Sequence, residues 1–122
     1  MAATTCHFSV PGAPVPKGRP RFDRRGRVYT PKRTRDYEEH VAWCAVAARA
    51  KVIEGPVSLE LDVTFKRAGQ ADLDNVAKAV ADALHGVCYA NDRQIKKLFA
   101  QELLPNKTHP RVDVRIEEIE WN

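Results

Sequence analysis

The sequence contains no apolar run that approaches the roughly 20 residues of a membrane span. It opens without a charged region followed by an apolar stretch, so we expect no signal peptide and a cytoplasmic location. Cysteine is scarce: Cys6, Cys44 and Cys88 lie far apart, and no CxxC or HxxxH pair occurs. This pattern argues against a disulfide framework and a zinc site, so we interpret the cysteines as reduced thiols.

The chain has 122 residues, of which 43% are hydrophobic, so we expect a single globular domain spanning residues 1–122. Alternating apolar and polar residues predict strands at 6–10, 57–65 and 111–119. In the second of these, the outward positions are expected to be Ser58, Glu60, Asp62 and Thr64. Shorter strands are predicted at 27–30, 87–89 and 95–104, the last anchored by Ile95 and Phe99.

Two segments have a helical pattern. The first is expected to run from an N-cap at Thr34 to about residue 51 and to stop before Gly55. Its apolar stripe consists of Tyr37, Val41, Cys44, Ala45, Ala48 and Val52. The second helix follows Asp72, which is expected to be its N-cap. Together these elements predict an α+β fold, a small mixed or antiparallel sheet with two main helices packed on one face.

Positive charge is concentrated in one segment. Residues 17–35 contain nine basic residues and one acidic residue, Asp23, whereas the whole chain has a net charge of only +4, so the remainder is net negative. Most of the nine are arginines, which bind phosphate oxygens in a bidentate manner. We therefore interpret this segment as a basic arm for a polyanion such as nucleic acid. The candidate DNA-binding residues are Lys17, Arg19, Arg21, Arg24, Arg25, Arg27, Lys32 and Arg33.

Carboxylates crowd one face of the second helix. At 100° per residue, the polar face contains Asp74, Asn75, Lys78, Asp82 and His85, and the apolar residues fall on the opposite side. Asp72 precedes this helix, and Asp92 follows a break at Gly86. Crowded carboxylates repel one another unless a cation lies between them, which suggests a divalent metal. The alternative is a solvated helix face with an ordinary ladder of charges four residues apart.

The combined motifs resemble one family. The arm reads Pro-x-Pro-Lys-x-Arg-Pro-Arg from Pro14, and the acidic segment reads Asp-x-Asp-Asn-x-x-Lys from Asp72, followed by Asn-Asp-x-Gln-Ile from Asn91. This combination resembles the RusA family of Holliday junction resolvases, which occurs in bacteria and their prophages. The resemblance extends from about residue 10 to residue 102.

The resemblance implies a homodimeric endodeoxyribonuclease of DNA recombination and repair, which nicks two opposed strands of a four-way DNA junction and uses Mg²⁺ or Mn²⁺. It implies catalytic, metal-binding roles for Asp72, Asp74 and Asp92 and an active-site role for Lys78. No membrane partner is expected. Other roles stay open at this point. Lys78 is either a phosphate contact or a counter-ion to Asp74 and Asp82. Asn75 either donates to an aspartate or caps the helix, and Asp82 is expected to support the metal ligands rather than to be one.

Three rival functions are weighed against this one. Nucleases of the PD-(D/E)xK class need an acid two residues before a lysine, and this sequence contains no such pair. A catalytically dead relative that binds junctions as an architectural or regulatory protein is disfavoured, because all three aspartates and the lysine are present. The third rival is a non-catalytic module that binds branched nucleic acid through the basic arm. Such a module would bind DNA regardless of Mg²⁺ and would cleave nothing.

Overall fold

The structure, a computed structural model, describes residues 5–121, so residues 1–4 and 122 of the expected domain lie outside the described residues. A four-stranded sheet and a separate two-stranded hairpin accompany two helices. The elements in chain order are β1 (Thr5–Pro11), β2 (Arg21–Phe22), β3 (Val28–Tyr29), α1 (Lys32–Ala47), β4 (Val57–Thr64), α2 (Leu73–Leu84), β5 (Ile95–Glu102) and β6 (Arg111–Glu118). This architecture confirms the predicted α+β class.

The main sheet is mixed, with strand order β1-β6-β4-β5. Strand β6 pairs antiparallel with both β1 and β4, whereas β4 and β5 are parallel. A parallel pair needs a crossover connection, and α2 supplies it. The crossover therefore fixes where the acidic segment lies: it follows the end of β4 and precedes the start of β5.

The core lies between the sheet and the helices. The inward residues of β4 and β6, including Leu61 and Val114, are fully buried, as their alternation predicts. The prediction that Ser58 and Thr64 point into solvent was wrong, because both are buried. Strand β4 is paired on both sides, and each of these small side chains lies beside longer neighbours, such as Lys97 next to Ser58. Because β4 is a central strand, side chains of its neighbours cover positions that the alternating pattern predicts to be exposed.

The first helix differs from its predicted bounds at both ends. It begins at Lys32 after Pro31, so Thr34 is not its N-cap but a buried residue of the first turn. It ends at Ala47, and Arg49 adopts a positive φ of 63° just beyond it, which turns the chain back toward the sheet. The last residues of the predicted stripe, Ala48 and Val52, are therefore exposed. The alanine-rich sequence favours continued helix, but the turn toward β4 ends it earlier.

Two further predictions needed correction. The segment 87–89 is not a strand: it forms a turn in which Tyr89 makes isolated bridges to Ile53 and His85. Strand β5 was correctly placed, but Phe99 does not anchor it, because its side chain is 55% exposed. Strand β5 lies at the edge of the sheet, where Phe99 has no further strand beside it among residues 5–121.

The basic arm is docked onto both helices at Lys17 and Gly18. The backbone N–H of Lys17 donates to the carbonyl oxygen of Asn75 at 2.8 Å, and that of Gly18 donates to the Thr34 hydroxyl at 2.9 Å. The Lys17 ammonium lies 2.5 Å from a Glu38 oxygen on α1 and 3.1 Å from an Asp82 oxygen on α2. Burial alone would lower the pKa of Lys17, but hydrogen bonds to both carboxylates raise it overall, so the side chain stays charged.

We expect Lys17→Met to lower the free energy of unfolding by about 1–3 kcal/mol, because it leaves two neighbouring carboxylates without their shared cation. The matched control is Lys32→Met, since the Lys32–Asp36 pair is far more exposed and should contribute little. Urea unfolding of the two variants and the parent checks this. Equal midpoints for both variants would show that the Lys17 pairs do not hold the arm in place.

Candidate functional site

The polar face of α2 is arranged as the sequence predicts. The helix buries Val76, Ala77, Ala79, Val80, Ala83 and Leu84. Its opposite face exposes Asp74, Asn75, Lys78 and His85, while Asp82 is half-buried. The buried side packs against the sheet and α1, so the acidic face is held outward by the same amphipathic pattern that builds the core.

At the start of α2, Asp72 is the N-cap residue, as predicted, but its carboxylate caps no backbone N–H. Instead it accepts a hydrogen bond of 3.3 Å from the side-chain amide of Asn75. Among residues 5–121, neither Asp72 nor Asp74 has an ion pair with a protein cation. These two exposed carboxylates, two positions apart in the sequence, are thus not neutralised by a basic side chain of the described residues. Of the two roles open for Asn75, contact with an aspartate is the one this geometry supports.

A second acidic group lies toward the end of α2. The Tyr89 hydroxyl donates to the carbonyl oxygen of Ala81. Burial is the main cause of its raised pKa, and the charges of Cys88, Asp82 and Asp92 add to the effect. The bond to Ala81 places this hydroxyl next to Asp82 on α2. Asp82 is also paired with Lys17, so its charge is already offset within the protein.

The loop that presents Asp92 is fixed by a capping box that sequence reasoning missed. The Asn91 side chain accepts from the backbone N–H of Arg93 at 2.8 Å, and the Gln94 side chain accepts from the N–H of Asn91 at 2.9 Å. The Gln94 amide also donates to the carbonyl oxygens of Ile53 and Gly55. The signal was present in the sequence: an Asn followed three residues later by Gln is a capping-box spacing.

The three predicted metal ligands do not form a preformed cage. Asp72 and Asp74 lie at the start of α2, whereas Asp92 lies in the turn that leads into β5. Within residues 5–121, no three His, Cys, Asp or Glu side chains are grouped so that they could hold a metal ion. The carboxylate oxygens still fit Mg²⁺ chemically, because this ion takes one or two carboxylates and completes its shell with water and phosphate.

Lys78 lies on the acidic face, and its ammonium makes no ion pair within the described part of the chain. The counter-ion role toward Asp74 and Asp82 is therefore not seen, and the partner of Asp82 is Lys17. An exposed ammonium beside unneutralised carboxylates is available to contact a phosphate or a water molecule.

The remaining basic residues surround the arm. Arg27 pairs with Asp23, Lys32 pairs with Asp36, and Lys17 is docked as described. In residues 5–121 the other predicted DNA-binding side chains are exposed and make no ion pair: Arg19, Arg21, Arg24, Arg25 and Arg33. Three of them, Arg19, Arg21 and Arg33, line a cleft of about 360 Å³ between the arm and the start of α1. The three arginines give this cleft a positive charge that suits a phosphate group.

Neither helix in the described residues is long and apolar enough to cross a membrane. An uncharacterized protein of Bacillus subtilis strain 168, YqaN, is 30% identical over 137 aligned positions, which cover 92% of this chain and 95% of that protein. A family model described as endodeoxyribonuclease RusA matches residues 11–117, a range that takes in the basic arm, both helices and the acidic segment. The chain therefore belongs to the RusA family of endodeoxyribonucleases.

Proposed function

We propose that this protein is a metal-dependent endonuclease that resolves four-way DNA junctions by paired nicks, with Mg²⁺ or Mn²⁺ as cofactor. The observation that carries the proposal is the docking of the arm onto α2 through Lys17, Asn75 and Asp82. It brings the DNA-binding charge next to a helix face on which Asp72 and Asp74 have no ion pair with a cation of residues 5–121. Basic residues supply affinity for phosphate, and the acidic face supplies the site of reaction.

The roles of individual residues follow from their surroundings. Asp72, Asp74 and Asp92 would hold the metal, which when bound acts as a Lewis acid and activates water. Asn75 fixes the orientation of the Asp72 carboxylate through its side-chain amide. Lys78 is free to approach the scissile phosphate from the same helix face. Asp82 keeps the arm in place through Lys17 and so supports the site without being a ligand.

A non-catalytic junction-binding module is the alternative. It would use the same arginines and would leave the acidic face as solvated surface. The unpaired state of Asp72 and Asp74 favours the nuclease, because close, uncompensated carboxylates near a DNA-binding arm oppose binding and serve no purpose in a module that only binds.

We further propose that the protein acts as a homodimer, since two opposed nicks in a two-fold symmetric junction require two sites. Strand β5 supports this through its outer edge, which has no partner strand among residues 5–121. Leu98 and Phe99 on it are 57% and 55% exposed. An antiparallel pair of two β5 strands centred on Phe99 would set Lys96 opposite Glu102, so the edge complements itself.

Replacing Asp72, Asp74 or Asp92 singly by Asn should reduce junction cleavage by several powers of ten, because each change removes a metal-ligand charge while keeping the side-chain shape. Junction affinity in EDTA should hold steady or rise, since repulsion of phosphate is relieved. Lys78→Ala should slow cleavage without removing metal binding. A labelled four-way junction assayed with Mg²⁺, Mn²⁺ or EDTA measures all of these.

The matched control is Glu60→Gln, an exposed carboxylate on β4 that should leave cleavage unchanged. Parent-like cleavage by all three Asn variants would disprove the metal-site assignment. Lost binding together with a lowered melting temperature would instead make the aspartates structural.

Loss of one phosphate contact should flatten the slope of log K against log salt by about 0.9. We therefore expect Arg19→Ala and Arg21→Ala each to reduce the slope by roughly this amount, because both arginines line the cleft without an internal partner. Arg115→Ala, an exposed change on β6, is the control and should leave the slope unaltered. If the arm variants behave like the control, the DNA surface lies elsewhere.

Phe99→Asp should convert the dimer to a monomer, because it places two carboxylates opposite each other at the centre of the β5 pair. Light scattering should then give about the 13.7 kDa of one chain in place of twice that mass. Trp43→Asp tests another exposed apolar site, on α1, and should leave the dimer intact. A charge exchange, Lys96→Glu with Glu102→Lys, should dimerise better than either single change if the register is as described.

A further inference from the structure

The β2–β3 hairpin has an apolar face that nothing in the described protein covers. Its register pairs Arg21 with Tyr29 and Phe22 with Val28. Residues directly opposite in an antiparallel pair share a face, so Phe22 and Val28 form one apolar pair. Their side chains are 70% and 62% exposed, and neither belongs to the hydrophobic core or packs against it. An exposed apolar pair on a ribbon with two residues in each strand has no role in stabilising the fold.

The hairpin nevertheless has a fixed shape. Both oxygens of the Asp23 carboxylate are used: one accepts the N–H groups of Arg25 and Arg27 at 2.8 and 2.9 Å, and the other accepts the Arg27 guanidinium at 3.0 Å. Gly26 takes a positive φ of 76°, and its N–H donates to the Asp23 carbonyl oxygen. The apolar pair is therefore presented on a closed turn rather than on a free tail.

The charge around this pair indicates its partner. Arg21 lies on the opposite face of the ribbon. Arg24 and Arg25 lie in the turn, and their side chains are exposed. A repeated positive charge next to an exposed aromatic side chain fits a partner that offers both phosphates and flat apolar surfaces. Nucleic acid offers both, because base faces become available for stacking wherever a base step is opened.

We propose that the hairpin inserts Phe22, backed by Val28, between base pairs at the branch point of a four-way junction, while the surrounding arginines hold the flanking phosphates. This inference rests on the proposed function for its DNA substrate and adds how the branch is recognised. The base of the arm is fixed to α2 by the Lys17–Asn75 hydrogen bond, so insertion occurs on a segment linked directly to the acidic helix. A branch point is the place where opening a base step costs least, because stacking is already interrupted there.

The test uses a four-way junction with 2-aminopurine at the branch point, in EDTA so that no strand is cut. The parent protein should raise the fluorescence as the base loses its stacking neighbour. Phe22→Ala should abolish most of this rise and weaken junction binding about 5- to 150-fold, since stacking on one aromatic side chain is worth about 1–3 kcal/mol. The slope of log K against log salt should not change, because no charge is removed. Phe22→Trp should restore the signal.

Trp43→Ala is the matched control, because Trp43 is also 70% exposed but lies on α1 outside residues 17–35. It should bind and unstack like the parent. Melting temperatures should show that the Phe22 variants remain folded, because the Phe22 side chain does not pack against the core.

Different outcomes separate this inference from the proposed function. If Phe22→Ala unstacks and binds the junction like the parent, or if the parent causes no rise while still nicking junctions, insertion is disproved and the nuclease stands. An equal rise on a fully paired duplex overturns the assignment to the branch point. A parent protein that binds no junction at all overturns both.

Discussion

A half-buried ammonium shared by two carboxylates joins the parts of this molecule that bear on function. Lys17 contacts Glu38 on α1 and Asp82 on α2, and its backbone N–H is bonded to Asn75. The arm is rich in proline and arginine and has little apolar surface of its own to bury. Without this contact, the energetic cost of ordering so polar a segment would have little to offset it. The pair of carboxylates also keeps the pKa of Lys17 raised despite burial, so the contact persists across the neutral range.

The parallel pairing of β4 with β5 has an equally direct consequence. It forces α2 to cross over the sheet, which places one end of the acidic helix after β4 and the other before β5. The strand order places β5 at the sheet edge and leaves Leu98 and Phe99 uncovered. The direction and position of this one strand thus set both the location of the proposed reaction site and the surface on which we place the second protomer.

The parts of the fold that sequence reasoning predicted are those governed by local patterns. The predicted alternation of β6 and the predicted apolar face of α2 were confirmed. Each of these elements has one side packed on the core, and that contact alone determines which residues are apolar. Errors arose where a distant partner decides. Thr34 has the composition of an N-cap, but its hydroxyl is used by Gly18 of the arm. Phe99 has the character of a core residue, but the strand order leaves it at an edge. In the candidate site, the sequence indicated which residues share the acidic face, whereas the pairing of Lys17 with Asp82 depends on how the arm folds back and leaves no trace in local spacing.

The turn that presents Asp92 has a chemical vulnerability. The Gln94 amide uses its oxygen for two backbone N–H groups and its nitrogen for the carbonyl oxygens of Ile53 and Gly55. Deamidation to glutamate would keep the acceptor but lose both donors and bring a negative charge against two carbonyl oxygens. Hydrolysis of one side-chain amide during ageing or storage would therefore release the Asp92 turn while leaving every candidate catalytic residue chemically intact.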